Sequence, residues 1–266
     1  MPTLDVNDTQ LYYEDTGPGS TGETIVFSHG LLWCVELFAP QIAALRARYR
    51  CIAWDHRGQG KSASDHRSCI GIELVTQDAI ALLAKLGTGP VHFAGLSMGG
   101  FVAMRVAARR PELVKKLILL ETSSDPEPVE NVARYRMLSH VTRVFGSKII
   151  AGRVAPIMLG KTFISDPARA AELAHYRTVM TARRDIWRAV NGVIDRAGIH
   201  DELPQIAAPT LVLVGDEDVA TPPPKAERIA GAIRGARLVH IPRAGHSSTV
   251  ESPAAVSAAI GEFLAG

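Results

Sequence analysis

The pentapeptide Gly95–Gly99 carries the residues of this chain that are best suited to chemistry. It reads Gly-Leu-Ser-Met-Gly, the G-x-S-x-G pattern in which a serine lies on a sharp turn between a strand and a helix. The flanking sequence fits, because Val91–Ala94 is short and apolar and the alanine-rich segment 100–109 favours a helix that ends before Pro111. The glycines leave space for the turn and for close helix–strand packing. We therefore expect Ser97 to be a nucleophile held at the end of a strand.

A serine hydroxyl is a weak nucleophile at neutral pH unless a base takes its proton and a carboxylate orients that base. The chain has nine histidines, but only His246 lies beyond the last strand-like run, residues 237–241. It occupies a loop of Pro, Gly and Ser that precedes a terminal helix expected from about Pro253 to Leu264. Loops at strand ends commonly display catalytic side chains. We expect His246 to be the base; the alternative is an exposed loop histidine without a role.

The carboxylate partner is less well defined by the residues alone. The loop after the apolar strand 210–214 contains Asp216, Glu217 and Asp218, and each lies between the serine and the histidine, in the chain order that this arrangement requires. Asp216 is expected to be a turn residue that bonds backbone amides, and Glu217 to be solvated. A further candidate is Glu121, which follows an earlier apolar run; its position favours a polar strand end instead.

Acyl transfer also needs N–H donors for the negative charge that develops on the substrate oxygen. One donor should be the backbone N–H of Met98, next to the nucleophile, and the other should come from the loop after an earlier strand. The strand Thr24–Ser28 and the following residues His29–Trp33 fit this description. We expect Leu31 to supply the second N–H. His29 could act as a second base, but we expect it to brace the loop through its ring nitrogens.

The elements that must position these residues alternate between strand and helix along the chain. This alternation predicts an α/β fold with an eight-stranded, mostly parallel sheet and helices on both faces. Short-range patterns predict an edge hairpin, a central strand and two helices. These elements are, in chain order, the hairpin of Leu4–Val6 and Gln10–Glu14, the helix near Pro40–Leu45, the strand Arg50–Trp54 and the helix Ile72–Leu86.

The alternation stops between Glu121 and Pro204, where about eighty residues precede the next strand, too many for a simple loop. The segment has a helical composition interrupted by prolines. It predicts a helical cap of residues 123–203, inserted into a core domain of residues 1–122 and 204–266 and covering the active site without a core of its own. Pockets are lined mainly by apolar side chains. The expected pocket residues are Leu32, Trp33, Met137, Met158 and Trp187.

The composition is that of an ordinary globular protein. The chain has 266 residues, 47% of them hydrophobic and 21% charged, and a net charge of +2. The small net charge suggests neither nucleic acid nor an anionic surface as a partner. No signal segment and no apolar run of membrane-spanning length is apparent, and Cys34, Cys51 and Cys69 lack a metal-ligand spacing. We expect a cytoplasmic monomer or homodimer with free thiols, a small-molecule substrate, and neither metal nor cofactor.

The motifs and their order resemble those of the α/β-hydrolase superfamily over nearly the whole chain. The resemblance implies that Asp218 is the acid, because Gly-x-x-Asp followed by Thr-Pro is the usual form of this loop. Some relatives place the acid at the position of Glu121. Many relatives also carry a proline two residues after His-Gly, where this chain has Leu32. The matching landmarks are His29-Gly30, Asp55–Ser62, Ser97, Asp218 and Gly245-His246.

Within the superfamily the chain is similar to small serine esterases, enol-lactonases, carbon–carbon bond hydrolases and cofactor-free haloperoxidases. Serine at position 97 argues against haloalkane dehalogenases and epoxide hydrolases, which use aspartate there. The resemblance implies a hydrolase that cleaves a small-to-medium ester or lactone through an acyl-enzyme, with an apolar acyl part because few charged anchors are expected. Carbon–carbon bond hydrolysis, enol-lactone hydrolysis and perhydrolysis are alternatives on the same triad. A receptor-like binding protein is an alternative of a different class.

Overall fold

The computed structural model describes residues 2–183 and 185–266. Its strands join in a single sheet of eight. In chain order they are β1 (Thr3–Val6), β2 (Thr9–Asp15), β3 (Thr24–Ser28), β4 (Arg50–Trp54), β5 (Val91–Leu96), β6 (Val114–Leu120), β7 (Thr210–Gly215) and β8 (Arg237–Ile241).

The sheet is mostly parallel, which confirms the expected fold class. Its strands lie in the order β1-β2-β4-β3-β5-β6-β7-β8. The first two form the predicted antiparallel edge hairpin, and β2 is antiparallel to β4. The remaining six strands, β3 to β8, are parallel to one another. Their carboxyl ends therefore lie at one edge of the sheet, where open α/β folds place their ligand sites.

Helices cover both faces of the sheet. The α-helices are α1 (Ala39–Leu45), α2 (Ile72–Leu86), α3 (Met98–Arg109), α4 (Val129–Phe145), α5 (Ala151–Met158), α6 (Lys161–Ser165), α7 (Ala170–Met180), α8 (Trp187–Ile194), α9 (Pro223–Ala232), α10 (Ser248–Glu251) and α11 (Pro253–Ala265). The two helices predicted at Ile72–Leu86 and near Pro40–Leu45 are both present, as is the terminal helix from Pro253.

Two buried clusters, one on each face, hold the helices to the sheet. Val26 packs in the cluster that includes residues of α2, α3 and α9. Its neighbours Ile25 and Phe27 pack in the other cluster, with residues of α1 and α11, because successive side chains of a strand point to opposite faces. This two-sided burial explains why the central strands are nearly continuous apolar runs.

The helices α4 to α8 occupy the long segment between β6 and β7, where the sequence predicted a helical insertion. Ile150, Val154, Met158 and Met180 of this segment belong to the same buried cluster as Phe27 of the sheet. The inserted helices therefore bury apolar residues against the rest of the molecule.

Two of the compositional expectations can be compared with the structure. The thiols of Cys34, Cys51 and Cys69 are free, as predicted. Across residues 2–183 and 185–266, none of the helices has the length and the apolar character needed to cross a membrane.

Candidate active site

The turn between β5 and α3 has a strained backbone. Ser97 has φ +53° and ψ −112°, outside the regions that L residues favour, and its N–H donates to the carbonyl of Leu120 at 2.9 Å. A Cβ atom at Gly95 would lie 2.3 Å from the Gly99 carbonyl oxygen, and one at Gly99 would lie 1.9 Å from that of Ser28. Only glycine fits at both positions, which explains the spacing of the G-x-S-x-G pattern.

Three loops bring Ser97, His246 and Asp218 together. Ser97 follows β5, Asp218 follows β7 and His246 follows β8. Nε2 of His246 lies 2.9 Å from Oγ of Ser97, and its Nδ1 lies 2.8 Å from Oδ2 of Asp218. Each of the three residues is less than a tenth exposed. A hydroxyl, an imidazole and a carboxylate joined in this order can generate a serine nucleophile.

The surroundings of Asp218 determine which ring nitrogen of His246 carries the proton. Oδ1 of Asp218 accepts the N–H groups of Ala220 and Thr221 at 2.8 and 3.0 Å, and Oδ2 accepts the Thr221 hydroxyl at 2.9 Å. An ionised carboxylate only accepts hydrogen bonds, so Nδ1 of His246 must be the donor. Nε2 then has a free lone pair that faces the hydroxyl of Ser97 and can accept its proton.

The other two carboxylates of the β7 loop have partners elsewhere. Oδ1 of Asp216 lies 2.8 Å from Nδ1 of His240. Glu217 accepts the N–H and the hydroxyl of Thr162 at 2.8 and 2.6 Å. The expectation that Asp216 bonds backbone amides is wrong, because its partner is a side chain 24 positions away. Glu217 is partly exposed, and its bonds to Thr162 add a role that the sequence did not predict.

Glu121, the alternative acid, is completely buried at the end of β6. Its backbone has φ +39°, and neither carboxyl oxygen has a hydrogen-bond partner in the described part of the chain. Burial raises the pKa of Glu121 well above its usual range, and the nearby carboxylates of Asp218 and Glu251 raise it further. The structure thus brings Asp218, and not Glu121, into contact with His246.

The loop after β3 and the first turn of α3 present the two expected N–H donors. The amides of Leu31 and Met98 have no acceptor among residues 2–183 and 185–266; the amide of Met98 opens α3, where N–H groups lack an intrahelical partner. The adjacent amide of Leu32, a residue with φ +73°, donates to Oε1 of Gln59 at 3.1 Å instead. Leu31 also lines the same cavity as Ser97. Two donors are therefore available for a developing oxyanion.

His29 has the bracing arrangement expected of it. Its Nδ1 lies 2.7 Å from the carbonyl oxygen of Gly30, and its Nε2 accepts the N–H of His56 at 3.0 Å. The ring is fully buried, and burial lowers the pKa of His29. A neutral imidazole with both nitrogens engaged fixes the loop next to Leu31 and has no lone pair left for catalysis.

A cavity of about 170 Å³ opens over Ser97 and His246. The inserted helices α4, α5 and α8 contribute much of its wall, through residues such as Leu138, Met158 and Val190. Within the described ranges, no group of three or more His, Cys, Asp or Glu side chains is arranged to hold a metal ion. The wall is mainly apolar, as binding pockets usually are.

Two of the five expected pocket residues, Leu32 and Met158, line this cavity. Trp33 does not; it lines a separate cavity of about 520 Å³ that shares Leu32 with the first. The expectation for Trp33 is therefore wrong, because its ring packs against Tyr176, with 5.3 Å between the ring centres, and lines the separate cavity instead.

The expectations for Met137 and Trp187 are also wrong. Met137 is 57% exposed, whereas the adjacent Leu138 lines the cavity. Trp187 packs between two guanidinium groups, with Arg143 and Arg188 at 4.9 and 4.5 Å from its ring centre. Successive helical residues point about 100° apart, so an error of one position in the phase of a helix moves a side chain out of the pocket.

Sequence reasoning missed a set of polar residues in the wall of the cavity. Glu127, Tyr135, Arg196 and Lys225 line it. The carboxylate of Glu127 and the guanidinium of Arg196 form an ion pair of 2.6 Å, and their side chains are only 10% and 5% exposed. The cavity thus contains three charged side chains in an otherwise mainly apolar wall. No motif surrounds these residues, and the two partners lie 69 positions apart in the sequence.

Glu251 fastens the histidine loop to the inserted helices. Its buried carboxylate accepts the N–H groups of Gly245 and Ser247, on either side of His246, at 2.9 and 3.0 Å. It also accepts the N–H of Gly160, just before α6, at 2.8 Å. Burial raises the pKa of Glu251, and the three N–H donors oppose that rise. One carboxylate therefore holds the histidine loop against the turn that precedes α6.

The model of the Alpha/beta hydrolase family matches residues 25–259. The chain is 28% identical over 269 residues to a putative carbamate hydrolase, RutD, of a Caulobacter species, with 96% of both chains covered. It superposes on a thermophilic esterase from Thermogutta terrifontis with a TM-score of 0.91 and 28% identity, covering 99% of this chain and 98% of that one. For the enol-lactonase from Burkholderia xenovorans the TM-score is 0.90 at 29% identity, with 100% of both chains covered.

Replacing Glu121 with Gln should change how stability depends on pH. The folded state raises the pKa of Glu121, so it binds a proton that the unfolded chain releases above about pH 4.3. The free energy of unfolding of the parent protein should then fall as pH rises between the two pKa values, by at most about 1.4 kcal/mol per pH unit. Gln cannot ionise and removes this loss. Denaturant titrations should show that E121Q gains stability relative to the parent as the pH rises from 5 to 8. If the free energy of unfolding depends on pH in the same way in both proteins, the raised pKa is contradicted. E130Q, at an exposed position, is the control.

Proposed function

Since the chain belongs to the alpha/beta hydrolase family, we propose that it hydrolyses a small-to-medium carboxylic ester or lactone through an acyl-enzyme on Ser97. The observation that carries the proposal is the chain of hydrogen bonds from Ser97 Oγ through His246 to Asp218, at 2.9 and 2.8 Å. The similarity to an esterase and to an enol-lactonase supports the same class of reaction.

In the first half of the reaction, Nε2 of His246 takes the hydroxyl proton of Ser97 as Oγ attacks the carbonyl carbon of the substrate. The negative charge that forms on the carbonyl oxygen is stabilised by the N–H groups of Leu31 and Met98. Asp218 accepts the Nδ1–H of the imidazolium and stabilises its charge. The tetrahedral intermediate collapses as His246 passes its proton to the leaving oxygen, which releases an alcohol and leaves Ser97 acylated.

In the second half, His246 takes a proton from a water molecule whose oxygen attacks the acyl carbon. The same two N–H groups stabilise the second oxyanion, and His246 then returns the proton to Oγ of Ser97. The carboxylic acid leaves and the free serine is restored. In a lactone the leaving oxygen stays attached to the acyl part, so a single hydroxy acid or keto acid is released.

The inserted helical segment supports a further part of the proposal. We assign residues 123–203 as a lid over a core domain of residues 1–122 and 204–266, because α4, α5 and α8 line the cavity above Ser97. A lid of this kind excludes water from the reacting groups, which strengthens every electrostatic interaction inside the site. Leu32 and Met158 would contact the substrate there.

Enol-lactone hydrolysis is the second candidate, favoured by the full-length similarity to the Burkholderia xenovorans enol-lactonase. It uses the same residues and differs in the leaving group, an enolate oxygen that becomes a ketone after protonation. Carbon–carbon bond hydrolysis, perhydrolysis and cleavage of a carbamate would use the same nucleophile on other substrates. A receptor-like protein would retain its product after one turnover.

We expect the purified protein to turn over aryl esters or lactones through many cycles without added metal or cofactor. A rate panel should contain aryl esters of graded acyl length, enol-lactones, a vinylogous diketone and an aryl carbamate, with hydrogen peroxide as a competing nucleophile. The highest kcat/KM should belong to an ester or lactone. A single slow turnover with retained product would instead indicate the receptor-like protein, and a preference for the diketone would indicate carbon–carbon bond hydrolysis.

Substitution of Ser97 or His246 by Ala should lower kcat by about 10⁴–10⁶-fold without unfolding the protein, because each removes a group that acts in the transition state. A serine-directed organophosphonate should add one covalent label to the parent protein and none to S97A, as measured by intact-protein mass. S165A, at an exposed position of α6, should label and react like the parent. A label that persists in S97A would overturn the choice of nucleophile.

The identity of the acid should be decided by three carboxyl-to-amide variants. D218N should lose about 10⁴-fold in kcat, because an amide in contact with Nδ1 favours the wrong tautomer of His246. E121Q and D216N should retain most activity, since Glu121 has no partner at His246 and Asp216 pairs with His240. The measurement is the steady-state kcat of each of the three variants relative to the parent. Full activity in D218N together with a large loss in E121Q would reverse the assignment.

A further inference from the structure

Arg196 lines the cavity that holds Ser97, yet its surroundings leave part of its guanidinium unused. The residue is only 8% exposed. Its Nε donates to the carbonyl of Asp125 at 3.2 Å, and its Nη1 donates to Glu127 at 2.6 Å and to the carbonyl of Val193 at 2.9 Å. These three bonds use three of the five N–H donors of an arginine. The two donors of Nη2 have no acceptor among residues 2–183 and 185–266.

Nη2 is not one of the fully enclosed polar atoms that lack a partner in the described residues, so an acceptor supplied by a ligand can reach it. The cavity is the space from which such an acceptor can come, since Arg196 is one of its lining residues. The two remaining N–H groups are both on Nη2 and point in different directions, so each can donate one charge-assisted hydrogen bond to an oxygen of an anionic ligand.

Arg196 packs against the first turn of the helix that follows the nucleophile. Its guanidinium carbon lies 4.5 Å from the ring centre of Phe101, and the N–H of Phe101 donates to the carbonyl of Ser97 at 3.0 Å. The ring therefore belongs to the first turn of α3, directly after the nucleophile. A substrate that reaches from Ser97 along Phe101 would meet Arg196 within a short chain length, and a cavity of about 170 Å³ accommodates only a small molecule.

The charge around Arg196 favours an anion. The charged side chains of this cluster are Arg196, Lys225 and Arg228 on one side and Asp125 and Glu127 on the other, joined by ion pairs of 2.6 to 3.2 Å. The cluster therefore carries one excess positive charge. Lys225 lines the cavity together with Arg196, so a carboxylate at this end would face two cations and one carboxylate.

We propose that the substrate carries a carboxylate, a short chain away from the ester or lactone group, and that Arg196 binds it. This inference rests on the proposed function and replaces the apolar acyl part expected from the sequence. Arg196 would then be the residue that determines specificity, with Lys225 adding charge and the apolar wall holding the methylene groups between the two ends of the substrate.

The test compares two matched series of aryl esters. Monoaryl esters of succinic, glutaric and adipic acid end in a carboxylate, and aryl butanoate, pentanoate and hexanoate end in a methyl group. At the best chain length, kcat/KM for the charged ester should exceed that for its neutral match by tenfold or more. In R196M this ratio should fall by about 10–100-fold, the range expected for a lost hydrogen bond between charged groups.

R196M alone would leave Glu127 buried without its partner, so the double variant R196M/E127Q should be measured beside it. The ratio of kcat/KM between the charged and neutral esters should fall equally in both variants. R196K, which keeps the positive charge but not the planar guanidinium, should give a ratio between that of the parent and that of R196M. R136M is the matched control, because Arg136 is exposed on α4 and pairs with Asp195 outside the cavity. Its ratio should equal that of the parent, and thermal unfolding of each variant identifies loss of the fold.

The outcomes separate the two hypotheses. If both series are turned over at equal rates, or if the ratio is the same in R196M/E127Q as in the parent, the carboxylate site is wrong and the proposed hydrolase function stands. A measurement without turnover covers the remaining case: S97A should bind monomethyl glutarate at least tenfold more tightly than methyl pentanoate in calorimetry. Equal binding of the two would overturn the carboxylate site even if no ester is hydrolysed.

Discussion

The arrangement depends on one hydrogen bond, from Nδ1 of His246 to the carboxylate of Asp218 at 2.8 Å. Because the carboxylate can only accept, the bond fixes the imidazole tautomer and leaves Nε2 able to accept the proton of Ser97. The two loops that form it follow β7 and β8, and Ser97 follows β5. Parallel strands present their carboxyl ends at one edge of the sheet, so the alpha/beta hydrolase fold brings together residues that are up to 149 positions apart in the sequence.

Parallel strands alone do not hold a loop to within the few tenths of an ångström that a proton transfer requires, and Glu251 supplies the missing constraint. It accepts N–H groups before and after His246 and so fixes the backbone of the histidine from both sides. Because it also accepts the N–H of Gly160, the turn before α6 is held to the same loop. Glu217 adds two bonds to Thr162. The inserted helices are thus attached to the site by the carboxylates of Glu251 and Glu217 as well as by apolar packing.

Residues whose roles follow from local sequence could be predicted. Ser97 is marked by glycines that the turn requires, and His246 by its place after the last strand. The carboxylates could not be separated in the same way, because the partners of Asp216 and Glu217 are His240 and Thr162, which no local pattern links to them. The resemblance to a known family, rather than the spacing, pointed to Asp218. The pocket was least predictable, since composition shows that a segment is helical but leaves open which side of each helix faces the cavity.

The contrast between Asp218 and Glu121 shows how environment, rather than residue type, separates the two carboxyl groups. Asp218 is almost fully buried, but two backbone N–H groups, a hydroxyl and an imidazole surround it and stabilise its charge. Glu121 is just as buried, and the nearby hydroxyl of Ser248 and backbone of Gly215 only partly oppose the burial that raises its pKa. Two ionised carboxylates in adjacent strand ends would repel each other and weaken the hold of Asp218 on His246. A protonated Glu121 avoids that repulsion, so the burial of one carboxyl group supports the proposed role of the other.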